Sequence, residues 1–167
     1  MGLFSFIKDA GEKLFGSGEA KAAQDAAAKA PTPESTALAN TKAAEAIRNY
    51  IDALKLATPD LTIRFEGASG TVTVGGSAPD QATKERILLA AGNVQGVSQV
   101  EDQMTVLKPE PEAKFHTVVR GDTLSAIAKA QYGNANKYMA IFEANKPMLS
   151  HPDKIYPGQV LRIPPQA

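Results

Sequence analysis

Few residues of this chain of 167 are equipped for side-chain chemistry: it carries two histidines and no cysteine. Without a thiol there can be no disulfide framework, zinc knuckle, thiolate nucleophile or redox pair. His116 stands at a strand entry and His151 beside Pro152; neither has metal-ligand spacing to another His, and both read as surface or structural histidines. No GxSxG elbow, Walker loop, helix-opening GxGxxG or HExxH occurs, so no enzyme is expected. Glu101 and Asp102 are adjacent; on a strand they would point to opposite faces and read as solvated charges. What remains is the main chain. The stretch ending near Gly11 and the AGNVQGV segment at residues 91 to 97 both read as helix C-termini. Carbonyls there carry the negative end of the helix dipole, and Gly92 and Gly96 let the backbone fold around an ion. The bland alternative for AGNVQGV is a helix stop followed by a turn.

Composition sets the frame for these segments. Lys+Arg 18 against Asp+Glu 18 gives no net charge, which removes the field that would draw the protein to nucleic acid or anionic lipid. No nucleic acid partner is expected. With no Trp and only 6% aromatic residues, the cores should be small and built from Val, Ile, Leu and Ala, which suits two compact modules. The opening MGLFSFIKDAGEKLF lacks a basic n-region, and its apolar run is too short for a signal peptide or for a span of roughly 20 residues. Phe6 occupies the Ser/Thr position of a myristoylation pattern. A cytoplasmic, uncleaved chain with no membrane span is therefore expected. Leu3, Phe4, Ile7, Leu14 and Phe15 fall near one helical face, which predicts an N-terminal docking helix over residues 1–15. It would pack on its own protein or, alternatively, on a membrane surface or partner chain, and Gly11 could end it after Ala10.

Residues 16–40 are poor in large apolar side chains and interrupted by Pro31 and Pro33, so they read as an Ala/Pro-rich linker. Pro109 and Pro111 mark a second, semi-rigid linker at 108–114. Between them, 41–107 opens with a helix carrying Ile47, Tyr50, Ile51 and Leu54 at helical spacing. The period then changes to two around Leu61, Ile63 and Phe65 and around Val72 and Val74, which predicts strands joined at GASG. Pro79 and Asp80 start a helix that stops at Gly92, and Val97, Val100, Met104 and Val106 supply a last strand region. In 115–164, Asp122 or Thr123 can cap a helix ended by Gly133, a second helix buries Tyr138, Ile141 and Phe142, and Pro157-Gly158 turns into Val160 to Ile163. The fold class is α+β, in two small domains.

The stretch GTVTVGGSAPDQATKERILLAAGNVQGVSQVEDQMTV resembles a BON domain over 41–107, which implies helices on one face of a small mixed sheet. RGDTL, YGNANKY, EANKP and IYPGQVLRIP resemble a LysM domain over 115–164, with the order strand-helix-helix-strand. The LysM resemblance implies a shallow groove for N-acetylglucosamine-containing glycans such as peptidoglycan fragments. It would be formed by Gly121, Asp122, Thr123, Leu124, Asn145, Lys146, Pro147 and Ile155. The plain alternative is that Asp122 and Thr123 cap a helix while Asn145 holds a turn.

The whole order, MGLFSFIKDAGEKLF then one BON and one LysM, resembles the small cytoplasmic potassium-binding proteins of bacteria. That resemblance implies a potassium ion as the bound cofactor, held by main-chain oxygens of Ile7, Ala10, Gly92, Val94 and Val97. It also implies a compact arrangement on binding, in which the N-terminal segment and the domains come together, and a role as an ion sensor or buffer. K⁺ is large and loosely hydrated, so neutral carbonyls can replace its water, whereas Ca²⁺ and Mg²⁺ sites usually recruit carboxylates. A monomer is expected, with a protein partner as a weaker alternative.

Overall fold

A computed structural model describes residues 2–5, 32–94 and 96–166. Helix α1 (Pro33–Ala53) buries Ala43, Ile47 and Ile51, one on each successive turn of a single face. Each buried Ile contributes about 1.5–3 kcal/mol relative to exposure. Residues 33–40 thus belong to the helix and not to the linker. Pro33, a breaker in the sequence reading, is the first helical residue, where its fixed φ suits the helix and no intrahelical partner needs its missing N–H. Glu34 in the first turn complements the positive end of the dipole.

Strands β1 (Gly2–Ser5), β2 (Thr62–Glu66), β3 (Thr71–Asp80) and β4 (Gln99–Lys108) form a mixed sheet in the order β1-β4-β3-β2. The β2–β3 hairpin is antiparallel and pairs Phe65 with Val72, whereas β3 and β4 are parallel and pair Val72 with Val100. A parallel pair needs a crossover, and α2 (Gln81–Gly92) supplies it. As the Pro79-Asp80 signal predicts, Asp80 caps α2 by accepting from the Thr83 N–H at 2.7 Å. Both helices pack into one core with Val72, Val74, Ile87, Leu89 and Val100.

The N-terminal docking helix is not what residues 2–5 form. They pair antiparallel with β4, Gly2 opposite Asp102 and Ser5 opposite Gln99. The apolar spacing in this stretch suits a helix, but the edge of β4 offers main-chain donors and acceptors that a strand satisfies, and Gly2 disfavours a helix start-to-finish. The rest of the 1–15 segment lies outside the described residues.

The second module is built as strand, helix, helix, strand. β5 (Lys114–Thr117) and β6 (Val160–Ile163) pair antiparallel, enclosing α3 (Leu124–Tyr132), a 3₁₀ turn at Ala135–Lys137 and α4 (Tyr138–Ala144). Thr123, rather than Asp122, caps α3, and Gly133 ends it at φ 72°, a left-handed conformation suited to glycine. Val118, Leu124, Ile127, Ile141, Phe142, Leu149, Leu161 and Ile163 fill its core. Lys108 and Lys114 belong to strands, so 109–113 alone connects the modules.

The modules share a seam along α2. Met148 and Val160 of the second module are buried in the core of the first, and Phe115 packs against it. Glu85, 2% exposed, bonds Arg162 through Oε2 and accepts from the Ala113 N–H and from Gln81 at 2.9 Å each through Oε1. Arg86 reaches the carbonyls of Ala144 and Glu143 at 3.3 and 3.4 Å; burial, and then Arg162, lowers the pKa of its guanidinium. Burial raises the Tyr50 and Tyr156 phenols well above their usual range, and Tyr50 adds to the effect on Tyr156.

Candidate functional site

Three of the five proposed carbonyl donors, Gly92, Val94 and Val97, lie at the last residue of α2 and in the turn that leads from it to β4. The helix ends at Gly92 because the Asn93 N–H makes the last helical bond, to Leu89 O at 2.9 Å, and the chain then leaves helical geometry at φ −83° and ψ 3°. Val97 N–H closes the turn onto Val94 O at 3.1 Å, and Gly96 takes φ 92°, a conformation that side-chain-bearing residues rarely adopt. Val94 and Val97 are 5% and 0% exposed, so their side chains anchor the turn in the core. The neighbouring β2–β3 turn braces it, with Gly70 O accepting from Ser98 N–H at 2.7 Å and from Gln99 N–H at 3.3 Å.

The oxygens offered here are neutral. The last carbonyls of α2 sit at the negative end of the helix dipole, equivalent to roughly half an elementary charge. The Ser98 hydroxyl, one residue beyond Val97, is buried and has no hydrogen-bond partner among the described residues. Such an oxygen costs free energy unless it is bonded, so a cation or water beside it would be stabilising. These donors fit a large, weakly hydrated monovalent cation. Ile7 and Ala10 lie outside the described residues. Ser5, however, is paired with Gln99, only two residues from Val97, so β1 ends at the edge of the sheet that carries the turn.

Asn93, inside the same turn, does work that its place in the sequence did not announce. Its Nδ2 donates to Val160 O and its Oδ1 accepts from the Val160 N–H, both at 3.0 Å. The partner is 67 positions away, and an Asn at a helix end reads locally as a stop signal. Glu85 was hidden for the same reason.

The residues of the implied glycan groove are largely occupied within the second module. Leu124 and Asn145 are 3% and 2% exposed and serve packing rather than an open groove. Asn145 exchanges two bonds with Arg162, at 2.7 and 2.8 Å, and donates to Ile141 O at 2.7 Å. Asp122 accepts from the Val119 N–H at 3.0 Å and meets His116 Nε2 at 2.9 Å; these bonds, the main-chain one first, lower its carboxyl pKa. Thr123 is the helix cap, Lys146 pairs with Glu143 and lies over the Phe142 ring, and Ile155 packs on the core. Gly121 and Pro147 are exposed.

His151 is exposed and accepts from the Asp153 N–H at 3.1 Å, as a structural histidine would. Asp102 differs from its expectation as a solvated charge. It is buried beneath α2, 2.8 Å from Lys84 and bonded to the Met104 N–H, because Val100, Asp102 and Met104 share the covered face of β4. A cleft of about 350 Å³ between α1 and β2 is lined by Asn40, Glu45, Arg48 and Arg64, but Arg48 is committed to Leu61 O and Asn40 to the Gly67 N–H.

Comparison with known proteins covers both modules. Residues 39–108 match the BON domain family and residues 116–164 the LysM domain family. Over 165 residues the chain is 46% identical to potassium binding protein Kbp of Escherichia coli O6:H1, spanning 98% of this chain and 99% of that protein. A segment of 49 residues, 29% of this chain, is 49% identical to 19% of an uncharacterized protein of Deinococcus radiodurans.

Proposed function

This chain belongs to the potassium binding protein Kbp family, and from that premise we propose that it is a non-enzymatic, monomeric K⁺-binding protein of the cytoplasm that senses or buffers the ion and becomes more compact on binding. The observation that carries the reading is the α2–β4 turn. Gly92 and Val94 stand at the C-terminal end of α2 and Val97 closes the turn that follows, one residue before Ser98, whose buried hydroxyl lacks a partner among the described residues. Neutral carbonyls of this kind can replace the loosely held hydration of K⁺ without the carboxylates that Ca²⁺ and Mg²⁺ usually require. The pairing of Ser5 with Gln99 supports a contribution from the N-terminal segment, where the remaining donors, Ile7 and Ala10, would complete the set. Compaction follows from the geometry of such a site: donors drawn from two distant stretches of chain can satisfy one ion only when those stretches are held together. Glycan recognition is less favoured, since Asn145, Asp122 and Thr123 spend their hydrogen-bonding capacity inside the module.

The reading is tested by calorimetric titration of KCl into metal-free protein, against NaCl at matched ionic strength, with the radius followed by small-angle scattering. Saturable heat and a smaller radius in KCl alone are expected. Equal responses to the two salts would contradict it.

A further inference from the structure

β6 has one edge paired with β5 and another that no strand covers among the described residues. On that second edge the main-chain groups of alternate residues are satisfied by side-chain amides: Arg162 by Asn145, and Val160 by Asn93. Each asparagine bonds both the N–H and the C=O of its partner, as a neighbouring strand would. Asn145 comes from the same module as β6, whereas Asn93 reaches across the seam from the turn between α2 and β4.

Asn93 also lies between Gly92 and Val94, two of the proposed donors. The carbonyl of Gly92 and the N–H of Asn93 share one rigid peptide plane, which is held by the bond from that N–H to Leu89 O at 2.9 Å. The carbonyl of Asn93 and the N–H of Val94 form the next plane. Both planes meet at the Asn93 Cα, from which a short side chain runs to an amide fixed on both main-chain groups of Val160. One residue thus joins the end of α2, where the turn's first carbonyls lie, to β6.

We infer that Asn93 is a positioning residue that couples cation occupancy of the α2–β4 turn to the docking of β6, so that ion affinity and closure of the seam are linked. This rests on the K⁺ reading of the turn given above. Linkage makes the effect reciprocal: whatever ion binding adds to the seam, an intact seam adds to ion affinity.

The test uses the full chain. Amide hydrogen exchange at Val160 is compared in KCl and in NaCl at equal ionic strength, and K⁺ affinity is measured by calorimetry for the unaltered protein, for Asn93→Ala, and for Tyr132→Phe. The last removes a bond made wholly within the second module, to Pro164 O. In the unaltered protein KCl should slow exchange at Val160 selectively. Asn93→Ala should weaken K⁺ binding about fivefold or more, the lower range of typical coupling, and abolish the K⁺ effect at Val160, while Tyr132→Phe should alter neither. Saturable K⁺ binding that leaves Val160 exchange unchanged in the unaltered protein would overturn the coupling, whatever the stability of the variants. Unchanged affinity in Asn93→Ala would overturn it as well. Absence of K⁺-specific heat from the unaltered protein would instead remove the ion reading, and the coupling with it.

Discussion

Asn145 and Asn93 treat alternate residues of β6 alike, but one acts within a module and the other between modules. Asn145 is 2% exposed and adds a third bond, to Ile141 O, which ties it into α4. Asn93 is 8% exposed, and among the described residues its side chain makes only the two bonds that cross the seam. Opening the seam would free Val160 from Asn93 while uncovering only the edge of the first core that Val160 and Met148 fill, whereas Asn145 and Arg162 would stay joined within the second module. The same amide chemistry thus serves stability in one place and conditional docking in the other.

The largest test of this contrast lies at the ion pair beside the seam. Glu85→Ala would leave Arg162 buried without its partner, and such a loss costs about 3–5 kcal/mol; urea unfolding should show it across both modules. Asn145→Ala removes three bonds and leaves the Arg162 main chain unsatisfied, at about 1–3 kcal/mol for each orphaned group. Its loss should appear in the unfolding of the second module. Asn93→Ala should cost less, about 2 kcal/mol or below, because water can reach Val160 once the seam parts. Equal losses at Asn93 and Asn145 would erase the distinction drawn between them.

The smallest effect concerns the two helix caps. Asp80→Ala and Thr123→Ala should each destabilise by about 1 kcal/mol in thermal or urea unfolding. Only the Asp80 cap should titrate. Its carboxyl pKa is lowered, chiefly by the hydrogen bond from the Thr83 main chain. A depressed folded pKa means that the cap's contribution is full above the unfolded carboxyl value and is lost as pH falls through the folded one. Asp80→Ser keeps a cap acceptor, so it should match the parent near neutral pH and remove this part of the acid sensitivity. An unchanged acid profile in that variant would contradict the assignment.

Local signals made much of this fold legible. The helical spacing of Ile47 and Ile51, the alternation around Val72 and Val74, the Pro79-Asp80 helix start and the Gly133 stop all depend on neighbours a few residues away. The turn carrying Gly92, Val94 and Val97 was legible too, because two glycines after an apolar helix mark a backbone that must turn. Asn93, Asn145 and Glu85 were not, since their partners lie 67, 17 and 77 positions away and their types are ordinary for helix ends and polar faces. Asp102 misled for a related reason: adjacency to Glu101 suggested solvent, but burial beneath α2 depends on the crossover. At the N-terminus, the apolar spacing of residues 2–5 suited a helix, while the edge of β4 favoured a strand.

Carbon-13 NMR of the main-chain carbonyls, with NaCl exchanged for KCl at constant ionic strength, tests the central claim most directly. Saturable, K⁺-specific shifts at Gly92, Val94 and Val97, exceeding those elsewhere in the two cores, are the expected result. No K⁺-specific shift in this turn, or K⁺-specific shifts confined to carboxylates, would contradict a main-chain cation site between α2 and β4.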